Sequence, residues 1–211
     1  ESILVEKKMY NPYSSYIIPK SKKYELVEVE SEVYLPKFIA KNMITEGYLV
    51  NFKQQNDREE ILDYVLSTGV KNVTLTGGEP LLQHNFVLEL FKRLKQDGIS
   101  TCIDTSGMVI LTDGVKEVLK YTDLVLLDIK HIDEEKCKDL VGFSNKKELE
   151  FARYLSDNNI KMWIRQVLVP GYTDAEEDLI KLKDFLSTLK TVEKVQILPY
   201  HSMGKYKWKK L

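Results

Sequence analysis

From residue 57 onward the sequence alternates helix-period segments with short β-rich runs, punctuated by glycine or Asx residues. Little else constrains a chain as strongly, because strands separated by helices pair in parallel, with the helices packed outside the sheet. The order begins with a helix. Asp57 to Ser67 sets Ile61, Leu62, Val65 and Leu66 on one face, and Gly69 stands beyond its end. Val73 to Thr76 is the first strand of the series, followed by a helix over Leu82 to Gln96 with Phe86, Leu90, Phe91 and Leu94 on its apolar face. Ser100 to Asp104 is a strand and Val115 to Tyr121 a helix; Leu124 to Ile129 is an almost wholly apolar strand. Asn145 is read as the cap of a helix running to Ser156. Lys161 to Val169 is a strand closed by Pro170-Gly171, Asp174 to Leu189 a helix, and Lys194 to Leu198 the last strand. The predicted class is therefore α/β with a parallel sheet and outer helices. Periodicity is compatible with an open doubly wound sheet and with a barrel, and in both the ligand binds at the carboxyl ends of the strands.

Composition fits one domain. A chain of 211 residues with 43% hydrophobic and 30% charged residues has the makings of a single packed core. Residues 1–56 form an atypical N-terminal segment and residues 57–211 the βα repeats. In the former, residues 22–35 and 47–52 alternate like strands, and Tyr10, Tyr13 and Tyr16 read as packing or surface residues. A net charge of −1 argues against an extended basic footprint for nucleic acid. No run approaches the roughly 18 apolar residues of a membrane span, and the N-terminus lacks a basic region followed by an apolar core, so the expected location is cytoplasmic, with no membrane partner. Cys102 and Cys137, the two cysteines, exclude a disulfide framework and a sequence-local thiolate cluster, and read as partly buried ordinary thiols.

The strand ends carry the chemistry. Val73 to Gln83, VTLTGGEPLLQ, is a strand stopped by Gly77-Gly78 and followed by Glu79-Pro80, where Pro80 suits a first helical turn. Alone it reads as a tight βα turn as readily as a ligand cradle. Beyond it, Asp104-Thr105-Ser106, Asp128 with Lys130, Arg165 and Tyr200-His201 stand at the other strand ends. Asp128 and Arg165 end or interrupt apolar runs, where an unpaired buried charge costs several kcal/mol, so they pair with each other or with a ligand. For any one of them an internal ion-pair network is an equal reading; for five strand ends together we take the site. Carboxylates, a lysine, an arginine and a histidine around a glycine turn suit an amino-acid-like ligand. A carboxylate and the glycine backbone take its ammonium group, and Lys130 and the planar fork of Arg165 take its carboxylate.

The strings TGGEPLLQ, TCIDTSG, DLVLLDIK, LVGFSN, MWIRQVLVPGYTD and VQILPYHSMGKYKW resemble, in this order, the pyruvate formate-lyase activating enzymes of the radical S-adenosylmethionine superfamily, over residues 73–208. The resemblance implies a partial (βα)6 TIM-like barrel with S-adenosylmethionine in its mouth. It implies that Gly77, Gly78 and Glu79 line the methionine end, that Asp104 and Asp128 flank it or a monovalent cation, and that Lys130, Arg165 and His201 contact the cofactor. The implied partner is a glycyl-radical enzyme, pyruvate formate-lyase, from a glycine of which a 5′-deoxyadenosyl radical takes hydrogen.

The resemblance also implies a [4Fe–4S] cluster on three cysteines spaced C-x3-C-x2-C. Residues 1–72 contain no cysteine, and neither Cys102 nor Cys137 has that spacing, so such a cluster is without thiolate ligands in this sequence. Two functions are carried forward: a glycyl-radical-enzyme activase, and a cluster-less S-adenosylmethionine-binding or structural module whose strand-end charges form a salt-bridge network.

Overall fold

The computed structural model describes residues 62–63, 65–67, 69–76 and 78–200. The chain divides into two compact units, residues 71–200 and residues 1–70 with 201–211. Of the second, the described part is helical at Leu62, Asp63 and Val65 to Ser67, with Leu62 and Val65 buried, as their spacing predicts. The strands expected within residues 22–35 and 47–52 lie outside the described residues.

Residues 71–200 form a five-stranded sheet, parallel throughout. Its strands are β1 (Asn72–Leu75), β2 (Ser100–Thr105), β3 (Leu124–Asp128), β4 (Lys161–Leu168) and β5 (Val192–Pro199). The helices are α1 (His84–Gln96), α2 (Asp113–Lys120), α3 (Glu134–Val141), α4 (Lys146–Asp157) and α5 (Glu176–Ser187), with a 3-10 turn over Pro80–Gln83 ahead of α1. Strand order follows chain order, β1-β2-β3-β4-β5. A doubly wound sheet reverses its order at a switch point, whereas a barrel adds each strand beside the last, so this sheet is that of a partial barrel. Five strands stand among the described residues, where the resemblance implies six.

Register sorts the side chains into two faces. Ile103, Val125, Leu127, Met162 and Ile164 are fully buried and meet the apolar stripes of the helices, among them Phe91, Leu94, Val118, Phe151 and Leu155, which are likewise sealed from water. Each such side chain contributes about 1.5–3 kcal/mol of transfer free energy. On the opposite face, Asp104 lies beside Leu126 and Leu126 beside Trp163; one pleat further along, Asp128 lies beside Arg165. These residues are half-buried. The same face continues onto β5, where Lys194 sits over the Trp163 ring at 4.7 Å. β5 itself is largely exposed, including Val195 and Ile197.

Two local readings change. Glu134 to Val141 forms a helix that the sequence reading left unassigned, because charges dominate the segment and Cys137 is its only buried side chain. Its signals are Asp133, whose side chain accepts from Glu135 N at 3.0 Å and Lys136 N at 3.1 Å, and Gly142, left-handed at φ +81°. Asn145 does stand at the start of α4, but its side chain makes no capping bond. It donates instead to His131 O at 2.9 Å and Ile132 O at 2.7 Å.

Candidate functional site

Gly78 follows β1 at φ +55°, and a Cβ built there meets nothing within 4 Å. Glycine is thus needed at this position for its dihedral angle and not for want of space. Gly77 lies outside the described residues. The next residue, Glu79, works for the protein: Oε1 accepts from Thr105 Oγ at 2.7 Å and from Leu81 N at 3.3 Å, and Oε2 accepts from Ser106 N at 3.1 Å and Ser106 Oγ at 2.9 Å. One carboxylate thereby ties the end of β1 to the end of β2 and caps the 3-10 turn.

The charges converge beside this clamp. Arg165 Nε donates to Asp128 Oδ1 at 2.8 Å, Nη1 donates to Asp104 Oδ2 at 3.1 Å, and Nη2 contacts Asp104 Oδ1 as well as Asp128 Oδ1, the latter at 2.7 Å. Thr76 Oγ donates to Asp104 Oδ2 at 3.2 Å, and Lys130 Nζ to Asp128 Oδ2 at 2.9 Å. Four strand-end residues therefore form one network of two anions and two cations. Burial acts against the Arg165 charge, but its bonds to Asp104 and the field of both carboxylates outweigh it, so its pKa rises above the ordinary value. The side chains remain 18–34% exposed, open to a ligand from the solvent side.

The pairing expected of Asp128 and Arg165 is present. Every carboxylate oxygen here already accepts a bond from within the protein, the arrangement that the ion-pair alternative describes. A monovalent cation at Asp104 and Asp128 therefore has to compete with Arg165, Thr76 and Lys130. His201, expected at the same site, lies outside the described residues.

Behind the network lies a group that the sequence reading missed altogether. Glu148 is fully buried; Oε1 accepts from Lys130 N at 3.2 Å and Oε2 has no hydrogen-bond partner. Burial pushes its pKa up to about 8, the Lys130 N–H and charge pulling the other way and Asp128 adding to the rise. The signal lay in spacing: residues 148, 151, 152 and 155 form one helical stripe, and the last three are Phe, Ala and Leu.

The two thiols are far less available. Cys102, on β2, and Cys137, on α3, are free and buried, and desolvation pushes both pKa values up to about 11. Among the described residues no group of three or more His, Cys, Asp and Glu side chains is arranged to hold a metal ion. A cleft of about 610 Å³ does open on this unit, but at the amino ends of the strands, around Ser100, Lys116, Asp123, Tyr154 and Lys161. There Asp123 accepts from Thr101 N at 2.8 Å and pairs with Lys95 at 2.6 Å, the anchoring role usual at that end of a barrel.

The sequence matches the family described as Radical SAM superfamily over residues 40–182. It is 55% identical over 144 residues to the pyruvate formate-lyase-activating enzyme of Staphylococcus epidermidis, an alignment that takes in 66% of this chain. The fold matches a domain of pyruvate-formate lyase-activating enzyme from Bacteroides vulgatus with a TM-score of 0.57 and 30% identity, covering 62% of this chain and 81% of that one. Streptococcus suis SuiB bound to S-adenosylmethionine shares the fold, with a TM-score of 0.60 at 22% identity over 76% of this chain and 36% of that one. The chain spans 57% of the length of the Staphylococcus epidermidis enzyme.

Proposed function

This chain belongs to the Radical SAM superfamily, and from that premise we propose that it binds S-adenosylmethionine at the carboxyl ends of β1 to β4 and serves as a glycyl-radical-enzyme activase acting on pyruvate formate-lyase. One observation carries the reading: Asp104, Asp128, Lys130 and Arg165, from three consecutive strands, meet on the open face of the sheet beside the glycine turn. The donor set fits the cofactor. Lys130 and Arg165 offer N–H donors to its carboxylate, Asp104 and Asp128 offer acceptors to its ammonium and sulfonium end or hold a monovalent cation there, and Gly78 stands in the turn after β1 beside them. Glu79 contributes by fixing the β1 and β2 ends relative to each other. Bound there, S-adenosylmethionine would supply a carbon radical able to take hydrogen from a glycine of the partner, provided that a separate one-electron donor reduces its sulfonium.

The thiols of this sequence do not fit the [4Fe–4S] cluster. Cys102 and Cys137 stand on different elements, and burial keeps both thiols protonated at neutral pH. We place the protein in the cytoplasm, where unpaired thiols persist. Among the described residues no helix is long and apolar enough to cross a membrane.

A titration with S-adenosylmethionine tests the reading. Heat is expected from the wild type, with affinity lowered at least about tenfold in Asp128→Ala and in Arg165→Ala through loss of charge-assisted bonds. A wild type without heat, or three equal affinities, refutes it. Because every oxygen of these carboxylates already accepts a bond from Arg165, Lys130 or Thr76, with one further lone-pair site left on each group, a second reading as an internal salt-bridge network is also supported. On that reading the same substitutions lower stability and leave affinity unchanged.

A further inference from the structure

We propose that Glu148, assisted by Asn145 one turn before it, is a positioning residue that sets where Lys130 stands in the strand-end network. The assignment rests on the site reading above. It begins with the turn that leaves β3. Ile129 N donates to Arg165 O at 2.9 Å, which binds the turn to β4. Lys130 N donates to Glu148 Oε1, and the carbonyls of His131 and Ile132 accept from Asn145 Nδ. Two side chains at the start of α4, that of Asn145 just before its first residue and that of Glu148 three positions on, thus hold the backbone of three successive residues of the turn. Lys130 is fixed at both ends, its N–H on Glu148 and its ammonium on Asp128.

A second turn meets the same residue. Gly107, at φ +67°, packs so closely on α4 that an added Cβ would stand 3.4 Å from Glu148 Cα and 2.6 Å from Leu127 Cδ1. Its N–H donates to Thr105 Oγ, which in turn donates to Glu79. The first turn of α4 therefore supports the loops after β2 and after β3 together.

An apolar side chain would fill position 148 at lower cost, since Oε2 is buried without a partner on a stripe of Phe151, Ala152 and Leu155. The one bond that Glu148 makes goes to the backbone of a site residue. The titratable groups facing it are Asp128 on β3, Lys130 on the turn and Cys137 on α3. In its neutral form Glu148 accepts the Lys130 N–H without placing a third negative charge behind Asp104 and Asp128.

The test compares wild type, Glu148→Gln and Glu148→Leu as full chains, by amide hydrogen exchange and by calorimetric titration with S-adenosylmethionine. In Glu148→Leu, exchange at residues 129–132 quickens about tenfold beyond the change in global stability and the cofactor dissociation constant rises about tenfold; Glu148→Gln, which keeps the acceptor, restores both. A purely structural residue would lower the urea midpoint of Glu148→Leu and leave both readouts of the folded protein unmoved; that result overturns the proposal, as does a Gln variant that behaves like Leu. Should Glu148→Leu not fold, Glu148→Met, which keeps the length of the side chain without the acceptor, replaces it in the same two measurements with the same expected and overturning results. A wild type that binds no S-adenosylmethionine refutes the cofactor reading, and the exchange data still decide the role of Glu148.

Discussion

Arg165 and Glu148 answer the same problem in opposite ways. Arg165 keeps its charge in a half-buried place because two carboxylates surround it, whereas Glu148, with no cation bonded to its side chain, holds its proton. The second case has a measurable consequence. Its folded-state pKa of about 8 stands above the ordinary glutamate value of 4.5, so between those values the folded chain retains a proton that the unfolded chain has released. Stability therefore falls as pH rises through that window; it is unaffected by this group below it, and the full penalty is reached above it. Urea denaturation of Glu148→Gln is expected to show the wild type losing stability relative to the variant between pH 5 and pH 8, by an amount on the order of a few kcal/mol. Equal pH slopes would show that Glu148 ionises normally. Arg165 and Asp128 were legible in the sequence because a charge in an apolar strand stands out, while Glu148 was hidden among the lysines and glutamates of KKELE.

The connections between elements decide how well the strand ends hold their places. β1 to β5 were recognisable from β-branched and apolar runs, with boundaries moved by one or two residues. α3 was not, since its single buried side chain leaves no stripe to read. Asn145 was read as a cap from residue type, yet the neighbouring turn competes for its amide and wins, with two carbonyl partners. Glycines discriminate between connections in a way open to experiment. Gly142 is left-handed in open space, so Gly142→Ala is expected to cost about 1 kcal/mol in thermal or urea unfolding. Gly107→Ala carries the same backbone strain and also drives Cβ into Leu127 and the α4 backbone, so it is expected to cost about 2–4 kcal/mol. Equal losses would show that α4 yields at this contact.

Across the whole of residues 71–200, every strand joins beside its predecessor and all carboxyl ends open to one side. This gathers residues distant in sequence, from Gly78 to Tyr200, along one rim, and the alternation of helices and strands announced as much. The choice between a partial barrel and a doubly wound sheet was not in the periodicity, because it depends on which strands are neighbours. The position of the thiols within this architecture yields a whole-molecule test. Desolvation holds Cys102 and Cys137 at pKa values of about 11, so at pH 8 roughly one thiol in a thousand is ionised. Labelling of the native protein with iodoacetamide is expected to be at least tenfold slower than in urea; equal rates would show that these elements open readily.

The register that sets Asp128 beside Arg165 also acts as a check on assembly. The apolar runs LVLL of β3 and MWI of β4 do little by themselves to distinguish one alignment from its neighbour, whereas the charges beside them do. A slip of one residue between β3 and β4 turns Arg165 toward the helices, among Phe151 and Leu155, and strands Asp104 and Asp128 without their shared guanidinium. Each mistake strips a charge of its partner in a dry interior, at a cost of several kcal/mol. The same cluster that offers a ligand its handholds thus makes wrongly aligned sheets unstable, and a variant stripped of those charges is expected to lose fidelity of folding along with its site.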